Sequence, residues 1–576
     1  MATTSTLRSR RSAAQLQALV QVEREIRASD PNSRRKYLRD FNEAFRTYQS
    51  VLSREQLQAL FRSADVLLLG DYHALPASQN YAARLVEELA GGKRPLILGV
   101  ETVFARDQHI LDEWAAGEID EDELRERLHF DYEWGYLWEP FYELLQSARS
   151  ANVPVYGLDC LPRLDLRKIA ARDRHAVEKI AELRSRYAGA QVLVLFGESH
   201  LAPNHIPELL TQRLPKDRVL TVLQNIDPLY WKAAGERRER VEAVRVNEDA
   251  VCVFNSTPLE KYESYRLCLD RWTRESAAAP DFAPTVYNLI DSLAHFLNMN
   301  SCSSHNGRQP KFLVDLLPEV CCREDERLSR ILQRKIAGEP DRRSIRARLE
   351  EYGTVYLPGV NSLYVREFQM MHVAEEATRF LHHACRGSVR RWNGNNDINS
   401  NGNGHRFVES KADSHKVDPK DRFYTRVLEQ ALGYFGSRIL YPARPPVRES
   451  DLYALYTQSP AEIEEKTIYS YAEYMRTIDF LVMHKDYETA PRRYLDLPAL
   501  VQEGVRATGA KFEYVTRRLG YMMGTELYDA YLAGRISKRF LRSLFMRKLD
   551  RLGSAPETYF AVVRKIHGSR KKKAAI

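Results

Sequence analysis

The sequence predicts an α/β protein: a mainly parallel sheet covered by helices, followed by largely α-helical C-terminal regions. Three observations predict it. Between about residues 62 and 225, short β-branched or Leu-rich runs alternate with stretches of helical periodicity. Those runs are apolar throughout rather than alternating, as strands buried on both faces of a parallel sheet must be. Beyond about residue 225 the strand signal thins and helical spacing dominates.

Residues 12–62 read as helices. Leu16, Leu19, Val20, Val22 and Ile26 form one apolar stripe, Leu57, Leu60 and Phe61 close another, and Pro31 breaks between them. Strands are expected at 66–69, 96–100, 153–158, 192–196 and 219–223, with helices at 77–90, 106–114, 121–128, 139–150, 166–187 and 206–214. Residues 251–254 read as one more strand. Residues 260–388 read as mainly helical, with irregular stretches at 301–310 and 355–361. The Asn/Gly-rich segment 391–418 cannot bury a core and reads as a linker. The expected organisation is a helical segment 1–61, an α/β domain 62–240, a mainly helical region 241–390, the linker 391–418, and a helical region 419–576 ending in a basic tail.

Composition narrows the function classes. Hydrophobic residues make up 44% and charged residues 28% of the 576, an ordinary globular profile. The net charge of +8 is unevenly placed. Residues 1–40 hold nine Lys/Arg against four Asp/Glu, and residues 560–576 hold six and none, so the body between them is about −3. With its basic residues in the tails and no reading helix among them, the chain is expected to bind no nucleic acid. Neither G-x-G-x-x-G nor G-x-x-x-x-G-K-[ST] occurs. Seven cysteines without a CxxC pair read as free thiols; Cys302-x-x-His305 has no second ligand pair. No apolar run approaches the roughly 20 residues needed to span a bilayer, and no apolar stretch follows the Arg-rich start. The expectation is a cytoplasmic protein with no transmembrane segment.

In a parallel sheet, ligands bind at the carboxyl ends of the strands. Gly70-Asp71-Tyr72-His73 follows the first run, Glu101 the second, Asp159 the third and Gly197-Glu198-Ser199-His200 the fourth. Four strands thus send Asp71, His73, Glu101, Asp159, Glu198 and His200 to one end of the sheet. Such carboxylates and imidazoles either ligate Zn²⁺, Mn²⁺ or Fe²⁺, or serve as general base and orienting partner. The candidate metal ligands are Asp71, His73, Glu101, Glu198 and His200. With 27 Gly and 15 His, chance alone supplies about 0.7 Gly-x-x-His tetrapeptides, so the weight lies in both copies following buried strands. Trp134, Tyr136 and Trp138 with their aromatic neighbours read either as a lid or pocket wall or as helix packing. His205, in the same loop as His200, is singled out among the remaining histidines.

A strand ending in Gly-Asp-x-His, a helix, a strand ending in Gly-x-Glu, then Gln108-x-x-Leu111-Asp112-x-Trp114-x-x-Gly117 and a second strand-Gly-x-x-His form an ordered set. The set resembles the ChaN family of haem-binding proteins, within the superfamily that includes Tiki proteases, TraB proteins and erythromycin esterases. Arg172-Asp173 resembles the Arg-Asp element that precedes the second Gly-x-x-His there. The resemblance covers residues of about 60–225. It implies a ChaN-like domain that binds haem or a divalent metal ion at the His/carboxylate strand-end site; the alternative it implies is a metal-assisted or His/Glu-activated hydrolase in which His73, Glu101, Arg172, Glu198 and His200 would be catalytic. The partner would be a small molecule or haem, and a homodimer is consistent with the family. A ChaN-like haem site would use a tyrosine, for which Tyr72 is the candidate inside the motif. Tiki-like members imply metal-dependent peptidase chemistry, and erythromycin esterases imply water activated by His and Glu. Asp71 departs from the family's usual Glu by one methylene, and the residues after the domain resemble no named family.

Overall fold

The computed structural model describes residues 4–30, 41, 43–161, 169–236, 241–273, 280–299, 316–322, 328–329, 332–333, 339–386, 418–457, 470–489, 499–507 and 509–567. The break at Pro31, the irregular stretch 301–310, the Cys302/His305 spacing, the Lys571–Lys573 tail and all of the Asn/Gly linker but residue 418 lie outside them. The chain forms two compact units, residues 19–278 and residues 1–18 with 279–576.

The first unit is the α/β domain. Its strands are β1 (Ser50–Leu52), β2 (Val66–Asp71), β3 (Leu96–Phe104), β4 (Val155–Asp159), β5 (Gln191–Gly197), β6 (Val219–Gln224), β7 (Ala243–Arg245) and β8 (Ala250–Val253). They make one sheet in the order β1-β7-β8-β6-β2-β5-β3-β4. The run from β8 to β4 is parallel, and β7 and β1 add antiparallel pairs at one edge. The five expected central strands all form. β1 and β7, three residues each, were not expected; they are too short to carry a period.

Every residue of β2, β5 and β6 is buried because the sheet is covered on both sides. Leu67, Leu69, Leu193 and Leu195 pack under the helices Pro76–Ala90 and Trp138–Ser150. Val66, Leu68, Val192 and Val194 pack under Ile169–Arg186 and Ile206–Arg213. Each fully buried aliphatic side chain in these two layers contributes roughly 1.5–3 kcal/mol. Strand order reverses around β2 and β5: the chain steps from β2 past β5 to β3 and β4, returns to β5, then crosses to β6. Such a switch point opens a crevice at the strands' carboxyl ends.

The second unit is helical with one small sheet. Helix Pro419–Leu440 is buried nearly all round, packed by Met370–Cys385, Gly509–Leu532 and Ser554–His567. The expected irregular stretch 355–361 is corrected: β10 (Thr354–Leu357) and β11 (Ser362–Val365) form a hairpin, joined in parallel by β9 (Glu319–Cys321). Gly353, at φ +66, turns the chain into β10 beside the Glu367 backbone, where a Cβ would meet the carbonyl oxygen at 2.7 Å. Among the described residues no helix is long and apolar enough to cross a membrane, and the six described cysteines are free.

Candidate active site

Four adjacent strands, β2, β5, β3 and β4, build the site. β5 lies between β2 and β3, and Asp71 of β2 pairs in register with Gly197 of β5. β3 does not stop at Val100, as its sequence suggests, but continues to Phe104 with a register shift against β4. Irregularities of this kind re-aim side chains, and Glu101 lies at this one. Gly157 of β4 allows it, because a Cβ there would come within 2.8 Å of the Val103 carbonyl oxygen.

Glu101 is the centre. Its Oε2 accepts the Gly197 N–H at 2.5 Å and its Oε1 accepts Arg172 Nη2 at 2.5 Å. His73 Nε2 stands 3.8 Å from Oε2, and His200 Nε2 stands 3.8 Å from Oε1. Each imidazole is held from behind: His73 Nδ1 by Asp71 at 2.8 Å, His200 Nδ1 by Asp173 at 2.5 Å. Gln79 donates to the other oxygen of Asp71 at 2.5 Å. Arg172 is gripped along one edge of its fork by Asp159, 2.8 Å from Nε and 2.9 Å from Nη2, with Nη1 aimed at His200 Nε2 at 3.4 Å. A Cβ on residue 197 would sit 3.0 Å from Glu101 Oε2 and 3.1 Å from His73 Nε2, so any larger residue would push these two groups back by a few tenths of an ångström.

Burial alone raises the pKa of Glu101, but His73, His200, Arg172 and the Gly197 N–H outweigh it and bring it down to about 2. Burial works against the Arg172 charge, and Glu101 and Asp159 overcome it and raise its pKa. Asp173 follows the same pattern: burial raises it, and the two imidazoles bonded to it bring it below the usual carboxylate range. Arg172 is thus a buried cation held between two carboxylates, Glu101 and Asp159, with ion-pair and hydrogen-bond partners that offset the cost of burying it.

His73 is the opening to solvent, with 23% of its side chain exposed against 5% for His200. Its ring lies 4.4 Å from Trp134 and 5.4 Å from Tyr136, and Tyr136 lies 5.2 Å from Trp272. Trp272 Nε1 donates to the Gly135 carbonyl at 2.8 Å, tying the aromatic segment down. Trp134 and Tyr136 pack against the His73 ring, while Trp138 turns inward against Phe130.

Glu198 has no hydrogen bond to the other candidates among the described residues; Lys261 Nζ donates to both its oxygens at 3.1 Å. Lys261 also lies 4.4 Å over the ring of Tyr72. Burial, then Glu198, hold the Tyr72 phenol well above its usual pKa. Burial likewise raises Glu198 and Asp227, while these two acids outweigh burial at Lys261 and keep it charged. Asp71, His73, Glu101, Asp159, Arg172 and His200 are thus brought together; Glu198 and Tyr72 form a second group beside them. Sequence reasoning missed Asp173 as a site residue, although it was read beside Arg172. It missed Gln79, one helical turn into Pro76–Ala90, and Lys261, on the helix Pro258–Thr273 beyond residue 240.

Among the described residues no three His, Cys, Asp or Glu side chains are grouped to hold a metal ion. The reason is visible at the centre: the position between His200 Nε2 and Glu101 Oε1 faces the Arg172 guanidinium, which a divalent cation would have to displace.

Residues 57–193 match the sequence family described as haem-binding uptake, Tiki superfamily, ChaN. Two solved structures are similar. One is the type III effector HopBA1, 14% identical, with 36% of this chain and 97% of that chain covered and a TM-score of 0.28. The other shows cofacial haem binding to ChaN of Campylobacter jejuni, 16% identical, with 30% and 86% covered and a TM-score of 0.24. Among curated proteins nothing matches.

Proposed function

We propose that the strand-end cluster is a general acid–base site that hydrolyses a small ester or amide substrate, carried on a ChaN-like domain. One observation supports this reading above the rest. Two imidazoles, each with Nδ1 on a buried aspartate, point Nε2 at the same ionised carboxylate from 3.8 Å. An aspartate behind a histidine fixes its tautomer and stabilises the imidazolium formed when Nε2 takes a proton. His73, the exposed member, takes the proton from water as the water oxygen bonds to the substrate carbonyl carbon, and returns that proton to the leaving alcohol or amine as the C–O or C–N bond breaks. Glu101 orients it and offsets the charge that results. Arg172 Nη1, the fork nitrogen with no carboxylate on it, faces the same centre and stabilises a developing oxyanion. The Trp134 and Tyr136 rings supply an apolar wall beside His73 for the rest of the substrate.

A divalent metal does not suit this donor set while Arg172 holds Glu101, so no step runs through one. Haem is the second reading, and the ChaN match over residues 57–193 favours it. The residues fit it less well. An iron-binding tyrosine must give up its proton, and burial with Glu198 pushes Tyr72 the other way. The test is turnover of chromogenic ester and amide panels by the full chain, beside a hemin titration. Turnover lost in His73→Ala supports the hydrolase; saturable hemin binding lost in Tyr72→Phe, without turnover, would replace it with a haem site. Sedimentation of the same samples tests the homodimer.

A further inference from the structure

The loop after β5 brings back His205, which the catalytic reading leaves unused. The chain passes through the short 3-10 turn Glu198–Leu201 and sets His205 immediately before the helix Ile206–Arg213. There His205 Nδ1 meets Asp173 Oδ2 at 2.7 Å, while Asp173 Oδ1 meets His200 Nδ1 at 2.5 Å. One carboxylate, itself 1% exposed, divides its two oxygens between two imidazoles. The outer imidazole has 25% of its side chain exposed and the inner 5%.

An ionised carboxylate only accepts, so both Nδ1 atoms carry hydrogen. The inner ring has a second constraint. Arg172 Nη1 lies 3.4 Å from His200 Nε2, and a guanidinium only donates. Nδ1 toward the Asp173 acceptor and Nε2 toward the Arg172 donor favour the Nδ1–H tautomer of His200. That state depends on which way the Asp173 carboxylate faces, because its sp³–sp² torsion is soft. A buried oxygen left without a partner is costly enough to turn it. His205 is the group that satisfies the second oxygen and so holds the first one on His200.

We propose that His205 is a positioning residue: it locks Asp173 in the orientation that fixes the tautomer of His200 and presents His200 Nε2 to the site. The role rests on the acid–base reading of the cluster, but its signature is independent of any substrate. Burial of His205 is partial, and its hydrogen bond to Asp173 raises its pKa above the ordinary value, as a group tied to that carboxylate should show.

The experiment uses the full chain labelled with ¹⁵N-histidine, reading two-bond ¹H–¹⁵N correlations, with His200 assigned from a His200→Gln variant. Wild type should show His200 as a single Nδ1–H tautomer. His205→Ala should replace that pattern by a mixture or an exchange-averaged signal. His205→Asn, whose amide nitrogen can occupy the place of Nδ1, should restore it. His205→Phe keeps the ring without the donor and should behave as His205→Ala, should the alanine variant not fold. His73, in the same unit and held at Nδ1 by Asp71, reports that the α/β unit of each variant is folded. An unchanged His200 pattern in His205→Ala or His205→Phe overturns the proposal. Absence of ester and amide turnover in wild type overturns the hydrolase reading alone, since the tautomer result stands without it.

Discussion

Glu101 carries the balance of charge in the α/β unit, so its substitution is the most informative at the residue scale. Its folded pKa is depressed to about 2, below the ordinary carboxylate value. The stability it supplies is therefore present above about pH 4.5 and is lost as pH falls through about 2. Glu101→Gln leaves Arg172 buried against Asp159 alone and is expected to cost about 3 kcal/mol, read from the urea transition of the α/β unit. A loss under about 0.5 kcal/mol would show that the guanidinium is not relying on Glu101. Gly197→Ala tests geometry instead. The added Cβ meets Glu101 Oε2 at 3.0 Å and His73 Nε2 at 3.1 Å, so turnover should fall at least tenfold with the thermal midpoint nearly unchanged. His73, Glu101 and His200 were legible in the sequence because each follows a buried apolar run whose end can only lie at one edge of the sheet. Glu198 was legible as a strand-end residue but not in its direction. It stands two residues before His200, and nothing in the motif reveals that Lys261, on a later helix, is its partner.

Elements show a second limit of sequence reading. β2, β3, β5 and β6 were readable from their continuous apolar runs, because two covering layers leave no face for polar residues. The strands that were missed, β1, β7 and β9 to β11, are three or four residues long. A period of two needs more residues than that to separate from a helical one. Helix packing in the second unit also depends on residues the sequence does not flag. Gly524 of Gly509–Leu532 lies against Pro419–Leu440, where a Cβ would meet the Ala431 carbonyl oxygen at 2.7 Å and Tyr434 Cβ at 3.0 Å. Alanine favours a helix over glycine by about 1 kcal/mol. Gly524→Ala should nonetheless destabilise by about 1–3 kcal/mol, because overpacking outweighs propensity at a close crossing. A midpoint in urea raised by the substitution would mean that the helices move apart at little cost. The adjacent His382 and His383 face different surroundings, as their spacing requires. His383 Nε2 lies 3.0 Å from Glu429, while His382 is buried to 1% exposure.

At the scale of the whole molecule, two units with different polar interiors should respond differently to acid. Burial lowers the pKa of His372 to about 4 and, with Arg386, takes His382 well below its ordinary value. A histidine lowered in the folded state binds its proton preferentially when unfolded. Stability is then full above about pH 6.5 and falls as pH drops from there toward 4. The helical unit should thus begin to lose stability near pH 6, well before Glu101 in the α/β unit is protonated. Hydrogen exchange at pH 7 and pH 5 reads both units at once, and His372→Gln should flatten the change in the helical one. Equal loss in both units would contradict the assignment. The charge pattern agrees with this division of labour: the excess positive charge lies in the chain's ends, and the candidate chemistry lies in a body that is near neutral.

The most direct test of the acid–base site is turnover of the ester and amide panels by the full chain before and after exhaustive chelation, with His73→Ala alongside. Turnover that survives chelation and falls at least 100-fold in His73→Ala is the expected result. Turnover abolished by chelation and restored by a divalent metal would contradict the account, because Glu101 would then have to leave Arg172 to bind it.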